Sequence, residues 1–173
     1  MKYFFLALML VIGIVGFSQE LWNGTTLGMT KEQILAIYPT AIESIVYKKD
    51  TSEIISKNLV LHDFDILGSL YNVSFLLGTD NKLNKVSITP KGPNLDIAAA
   101  NSRFQMLLGM FRNKYGKETF YIAPPSPRDG EESATWRLSD KTVYLFKMNT
   151  GSINMSVFFF QYSQAVPDES NKF

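Results

Sequence analysis

The sequence predicts an α+β domain in which two helices pack on one face of an antiparallel sheet. Three observations carry that reading. Residues 27–39, LGMTKEQILAIYP, combine a helix start, an apolar face and a stop. A longer stretch, about Leu95 to Tyr115, carries an apolar stripe at helical spacing. Around both lie runs in which apolar residues recur with period two, separated by turn signals and amounting to about six to eight strands.

Taken in order, the chain starts with MKYFFLALMLVIGIVGFSQE. Lys2 and the amino group supply positive charge, and Tyr3 to Phe17 form an apolar run. Gly16 and Ser18 then place small residues at the −3 and −1 positions of a cut before Gln19. Residues 1–18 therefore read as a secretory signal that is removed, and the product as exported, either periplasmic or secreted. An uncleaved anchor is the alternative, but the run is shorter than the roughly 20 apolar residues of a span, so no stable membrane span is expected once the leader is gone.

Of the 173 residues, 173 less 18 leaves 155, enough for one domain with a sizeable core. Without Lys2, 16 basic side chains face 16 acidic ones. That near-neutral balance, with no basic run longer than Lys48-Lys49, excludes the clustered positive charge that nucleic acid requires. The chain has no cysteine. It folds without disulfides, offers no thiolate for catalysis or metal, and has no site for a lipid-modified N-terminal cysteine. The single histidine, His62, excludes multi-histidine sites within one chain. Residues 19–166 are read as a single exported domain and 167–173 as a solvated tail.

The first helix begins at Thr30, which with Gln33 three residues on matches a capping box; Met29 and Ile34 are placed for the accompanying staple. Ile34, Ile37 and Tyr38 share its apolar face, and Pro39 ends it. SIVYKK and EIISKNLVLHDFDIL follow as strands, with Val60, His62, Phe64 and Ile66 expected on one face. SLYNVSFLLGTDNKLNKVSITP reads as a hairpin turning at GTDNK. The long helix comes next, capped by Asn94 or Asp96, burying Phe104, Leu107, Leu108, Phe111 and Tyr115, and ending at Gly116. ETFYIA, ATWRLS, TVYLFKM and INMSVFFFQY complete the strands, with the proline-rich, acidic loop PPSPRDGEES after the first of them.

The two halves echo one another: AIYPTAIESIVY against NKYGKETFYI, each passing from helix through an aromatic residue and a helix breaker into a strand. Residues 27–90 and 94–162 are thus read as half-repeats of a helix-plus-antiparallel-strand unit.

A leader, then GMTKEQILAIYP, then antiparallel strands resembles small exported bacterial modules of two kinds. One is the beta-lactamase-inhibitor-protein type, with tandem helix-and-four-strand units; the other is the small lipoprotein of the outer-membrane barrel-assembly machine, with its G-M-s-x-x-x-V helix start. The chain departs from the first in lacking disulfides and from the second in lacking a lipobox cysteine. The resemblance implies the fold and protein binding in the cell envelope. It assigns no functional residue.

Three segments are candidate sites. In HDFD, Asp63 and Asp65 are expected on one side of a strand with Cα atoms about 7 Å apart. Such a pair could share a hard cation or act as acid and base in a carboxylate-dependent hydrolase; two solvated aspartates are the plainer reading, and a cation site needs more oxygens than two. Arg128 and Asp129 in the proline-rich loop are the second candidate, since loops on rigid scaffolds commonly bind. Third, aromatic residues crowd the last two strands: Tyr144 and Phe146, then Phe158, Phe160 and Tyr162 opposite Ile153, Met155, Val157 and Phe159. If helices cover one face only, Tyr144, Phe158, Phe160 and Tyr162 would lie free to bind a protein partner, or the sheet would curve around a small apolar ligand or lipid. A strand buried on both faces is the alternative. No nucleophile elbow, phosphate-binding glycine loop or dinucleotide fingerprint occurs. No cofactor, metal ligand or catalytic residue is assigned, and the chain is read as a non-enzymatic binding module.

Overall fold

The structure, a computed structural model, describes residues 20–47, 54–92 and 95–165. The leader, the tail and Asn94 lie outside the described residues.

An N-terminal hairpin, β1 (Glu20–Trp22) and β2 (Thr25–Thr26), turns through Asn23 and Gly24, both at positive φ. It leads into helix α1 (Lys31–Ile37). The expected capping box is present: Gln33 N donates to Thr30 Oγ1 at 3.4 Å, and Thr30 N donates to Gln33 Oε1 at 2.9 Å. A helix this short does not persist alone. It is held by fully buried Ile34 and by Tyr38, whose ring stacks on Phe75 at 5.3 Å. Ile37, expected on the same face, instead points outward and is 40% exposed.

Strands β3 (Ile42–Tyr47), β4 (Ile54–Ile66), β5 (Ser69–Leu77) and β6 (Leu83–Pro90) form an antiparallel meander. The GTDNK turn closes as expected, with Gly78 N donating to Lys82 O at 2.8 Å and Asp80 Oδ1 accepting from Lys82 N at 3.1 Å. Helix α2 (Ile97–Tyr115) follows, its N-cap Asp96 accepting from Ala99 N at 2.9 Å and its C-cap Gly116 at φ 82. The predicted stripe is real: Phe104, Leu107, Leu108 and Phe111 are buried, and Tyr115 is packed against them. Each such side chain contributes about 1.5–3 kcal/mol of burial.

Strands β7 (Phe120–Ile122), β8 (Gly130–Arg137), β9 (Lys141–Thr150) and β10 (Met155–Gln164) complete one eight-stranded sheet of order β3-β4-β5-β6-β10-β9-β8-β7. The last strand of each meander meets the other at the centre, pairing Phe160 with Ile88 and Tyr162 with Val86. Both helices lie over the same face. A single cluster joins Ile34 of α1 and Phe104, Leu107, Leu108 and Phe111 of α2 to Leu59, Tyr71, Val73, Phe75, Ile88, Leu145 and Phe160 from the sheet. Of the described residues, no helix is long and apolar enough to cross a membrane.

One strand departs from the sequence reading. Between Leu61 and Phe64 the β4–β5 register slips, and Asp63 adopts a left-handed conformation at φ 59. This bulge inserts one residue and so reverses the alternation beyond it. Phe64 therefore turns into the core, edge-on to Trp22 at 5.1 Å, while His62 stays on the opposite side. Val60 and His62 thus share one face and Phe64 and Ile66 the other, so the four do not lie together as expected.

Candidate binding surface

Among the described residues, helices cover one face of the sheet and no element covers the other. Its residues follow from register. Across β4, β5 and β6 it is mostly polar, as a sheet face turned to water is, carrying His62, Asn72, Ser74, Lys85, Ser87 and Thr89 with Val60, Leu70 and Leu76 among them. Across β9 and β10 the same face carries Tyr144, Phe146, Met148, Val157 and Phe159. Phe146 stacks on Phe159 at 4.8 Å, and Tyr144 lies 6.0 Å from Phe146 and 5.9 Å from Phe159. Met148 is 42% and Val157 51% exposed. On the edge strand β7, Phe120 and Ile122 extend the patch, with the Arg137 guanidinium 4.6 Å from the Phe120 ring. Partial burial raises the Tyr144 hydroxyl above its ordinary pKa.

This placement corrects the membership of the aromatic surface. Phe158, Phe160 and Tyr162 are buried beneath α2, Phe111 lying 5.7 Å from Phe160 and 6.3 Å from Tyr162. Burial also raises the Tyr162 hydroxyl pKa. Of the four aromatic residues singled out, Tyr144 alone is on the uncovered face, and its neighbours there are Phe146 and Phe159.

The proline-rich loop belongs to the helix-covered side. Pro127 O accepts from Asn101 Nδ2 of α2 at 3.1 Å and from Asn149 Nδ2 of β9 at 2.8 Å. Ser126 Oγ accepts from the amides of Arg128 and Asp129, and Asp129 Oδ1 accepts from Gly151 N at 2.7 Å. Gly130, at φ 98, is obligatory where the loop rejoins the sheet, because a Cβ there would lie 2.5 Å from Pro125 Cδ. Arg128 and Asp129 are exposed, but Asp129 serves to pin the loop, and neither is brought together with the aromatic patch by any contact.

Beneath this loop lies a polar cluster that sequence reasoning missed. Lys147 Nζ donates to Glu132 Oε2 and to Asn101 Oδ1, both at 2.5 Å, with the two charged side chains 2% and 4% exposed. Glu132 Oε1 also accepts from Gln105 Nε2 at 3.0 Å and from the Tyr121 hydroxyl at 2.5 Å. The Tyr121 hydroxyl pKa is pushed up to about 12, by burial first and then by the Glu132 carboxylate. Lys147 is the residue that carries the signal. It follows Val143 and Leu145 at an inward position, where a charge demands a buried partner.

The paired-aspartate site is not assembled. Asp63 forms an ion pair with Lys91, and Asp65 Oδ1 accepts from Gly68 N at 2.9 Å within the next turn. His62 Nδ1 lies 2.9 Å from Asn72 Oδ1 on the uncovered face. No group of three or more His, Asp or Glu side chains among the described residues converges as a metal site. Comparison with protein-family models, curated proteins and solved structures found no match.

Proposed function

We propose that the chain is an exported, non-enzymatic binding module of the cell envelope that holds a protein partner on the uncovered face of its sheet. The observation that carries this reading is a contrast within one face. Across β4–β6 its apolar members, Val60, Leu70 and Leu76, are interspersed among His62, Asn72, Ser74, Lys85, Ser87 and Thr89; across β9 and β10 three aromatic rings adjoin one another and the exposed Met148 and Val157. A sheet made only to be stable has no need of that difference, and contiguous exposed apolar patches mark interaction sites.

The composition names the partner's chemistry. Aromatic residues and methionine are enriched, and charge is depleted, at the centre of protein–protein interfaces. Here Tyr144, Phe146 and Phe159 form the centre, and Arg137 and Glu131 lie at the rim. The expected partner surface is apolar, charge-poor and proteinaceous. The order of elements, a helix followed by four strands and then the same again, supports a doubled unit, in line with the resemblance to the inhibitor and assembly-lipoprotein modules.

The test uses Val157→Asp and Met148→Asp, at exposed positions where the fold tolerates charge. Both variants should keep the wild-type melting temperature and lose capture of a partner, identified by mass spectrometry and then titrated as purified protein. Unchanged affinity in both variants contradicts the reading. So does loss, in the variants, of a concentration-dependent dimer seen in wild-type sedimentation, since the face would then hold a second copy.

A further inference from the structure

We propose that a groove on the opposite, helix-covered side binds an apolar organic cation, an aromatic or alkyl amine. It is distinct from the uncovered face, and the inference stands independently of the function proposed for that face. The groove opens between the β1–β2 hairpin, the end of β4 and the C-terminal half of α2, with a volume of about 350 Å³. Trp22 and Phe64 form one wall, Leu107 and Phe111 of α2 the other, and Phe160 and Tyr162 the floor. That size and lining are those of a small-molecule site.

The rim sets the sign of the ligand. Glu20 and Asp65 contribute two carboxylates and Lys114 one ammonium. Lys114 Nζ rests 5.2 Å from the Tyr115 ring centroid. Among the described residues Lys141 also stands at this end, donating to the backbone oxygen of Glu20 at 2.5 Å and lying 3.8 Å from Asp140. The side chains of the described lining thus carry a net charge of −1 beside aromatic rings, and aromatic faces attract cations. Both carboxylates are held in place by backbone amides: Glu20 Oε1 accepts from Gly24 N at 3.0 Å, and Asp65 Oδ1 from Gly68 N at 2.9 Å. A hydrocarbon or aryl body would replace water along Trp22, Phe64 and Met110 while its ammonium stays at the carboxylate rim.

The experiment compares 4-phenylbutylamine, 4-phenylbutanol and 4-phenylbutanoate, one skeleton in three charge states, by titration calorimetry against the full chain. The amine should bind saturably and about tenfold more tightly than the alcohol, with the acid weakest. Glu20→Gln with Asp65→Asn keeps both acceptors for the backbone amides and removes both charges. It should reduce the amine to the alcohol's affinity at unchanged melting temperature. Met110→Arg, at a 40% exposed position on the groove mouth, should abolish amine binding, and Val157→Asp on the other face should leave it unchanged. Equal affinity for amine and alcohol, preference for the acid, or no saturable binding by any of the three overturns the proposal.

Discussion

Lys147 and Glu132 face one another from neighbouring strands, Nζ to Oε2 at 2.5 Å, sealed beneath α2 with almost no access to water. An ion pair so buried is costly to half-remove, because the survivor is left charged in a medium that cannot solvate it. Lys147→Met should lower unfolding free energy by about 3–5 kcal/mol, and Glu132→Leu by a similar amount. The double variant should recover much of that loss. Urea denaturation of the three proteins measures the coupling; additive single losses would contradict it.

Arg112 clamps Glu118 beyond the end of α2, donating from Nε at 2.8 Å and from Nη2 at 2.6 Å. Those hydrogen bonds, before any other influence, bring the Glu118 carboxyl down from 4.5 to about 2. A depressed carboxyl stabilises the fold above its unfolded value and loses that contribution as pH falls. The loss should run from about pH 4.5 to about pH 2. Arg112→Ala should return the Glu118 titration, followed by NMR, to the ordinary carboxylate range and move acid unfolding to higher pH.

Tyr121 gives the converse case at high pH. Its neutral hydroxyl donates to Glu132, so folding favours the protonated form. Stability from this group is complete below about pH 10 and declines as pH rises to about 12. Tyr121→Phe should remove one late-titrating phenolate from the ultraviolet absorbance and flatten the alkaline loss of stability.

The two-residue turn between β4 and β5 places Leu67 at φ 55 and Gly68 at φ 74, a conformation that favours Asn-Gly. A leucine held there is strained. Leu67→Asn should stabilise the domain by about 1 kcal/mol in urea denaturation; a destabilised variant would show that the exposed leucine side chain contributes packing.

How much of this was legible depends on how local the signal is. The capping box at Thr30 and Gln33, the α2 stripe and the GTDNK turn are set by residues a few positions apart, and all three are present in the structure. The side of the sheet that α2 covers is a long-range fact. In MSVFFFQY both alternating sets are apolar, so period two separates Phe158, Phe160 and Tyr162 from Val157 and Phe159 without saying which set is covered. The bulge at Asp63 was invisible because an aspartate is also an ordinary strand residue, and the left-handed turn there reverses every side chain after it. Lys147 was readable in principle, as a charge in an inward series. Its partner, Glu132, lay a full hairpin away.

The most direct test of a partner-binding sheet face is site-specific photo-crosslinking in the producing cell. A photoreactive side chain at position 157, on the uncovered face, should form one discrete adduct with a second protein. The same group at Met106, exposed on α2, should not form that adduct. An identical adduct pattern from both positions, or none from position 157, would contradict the account.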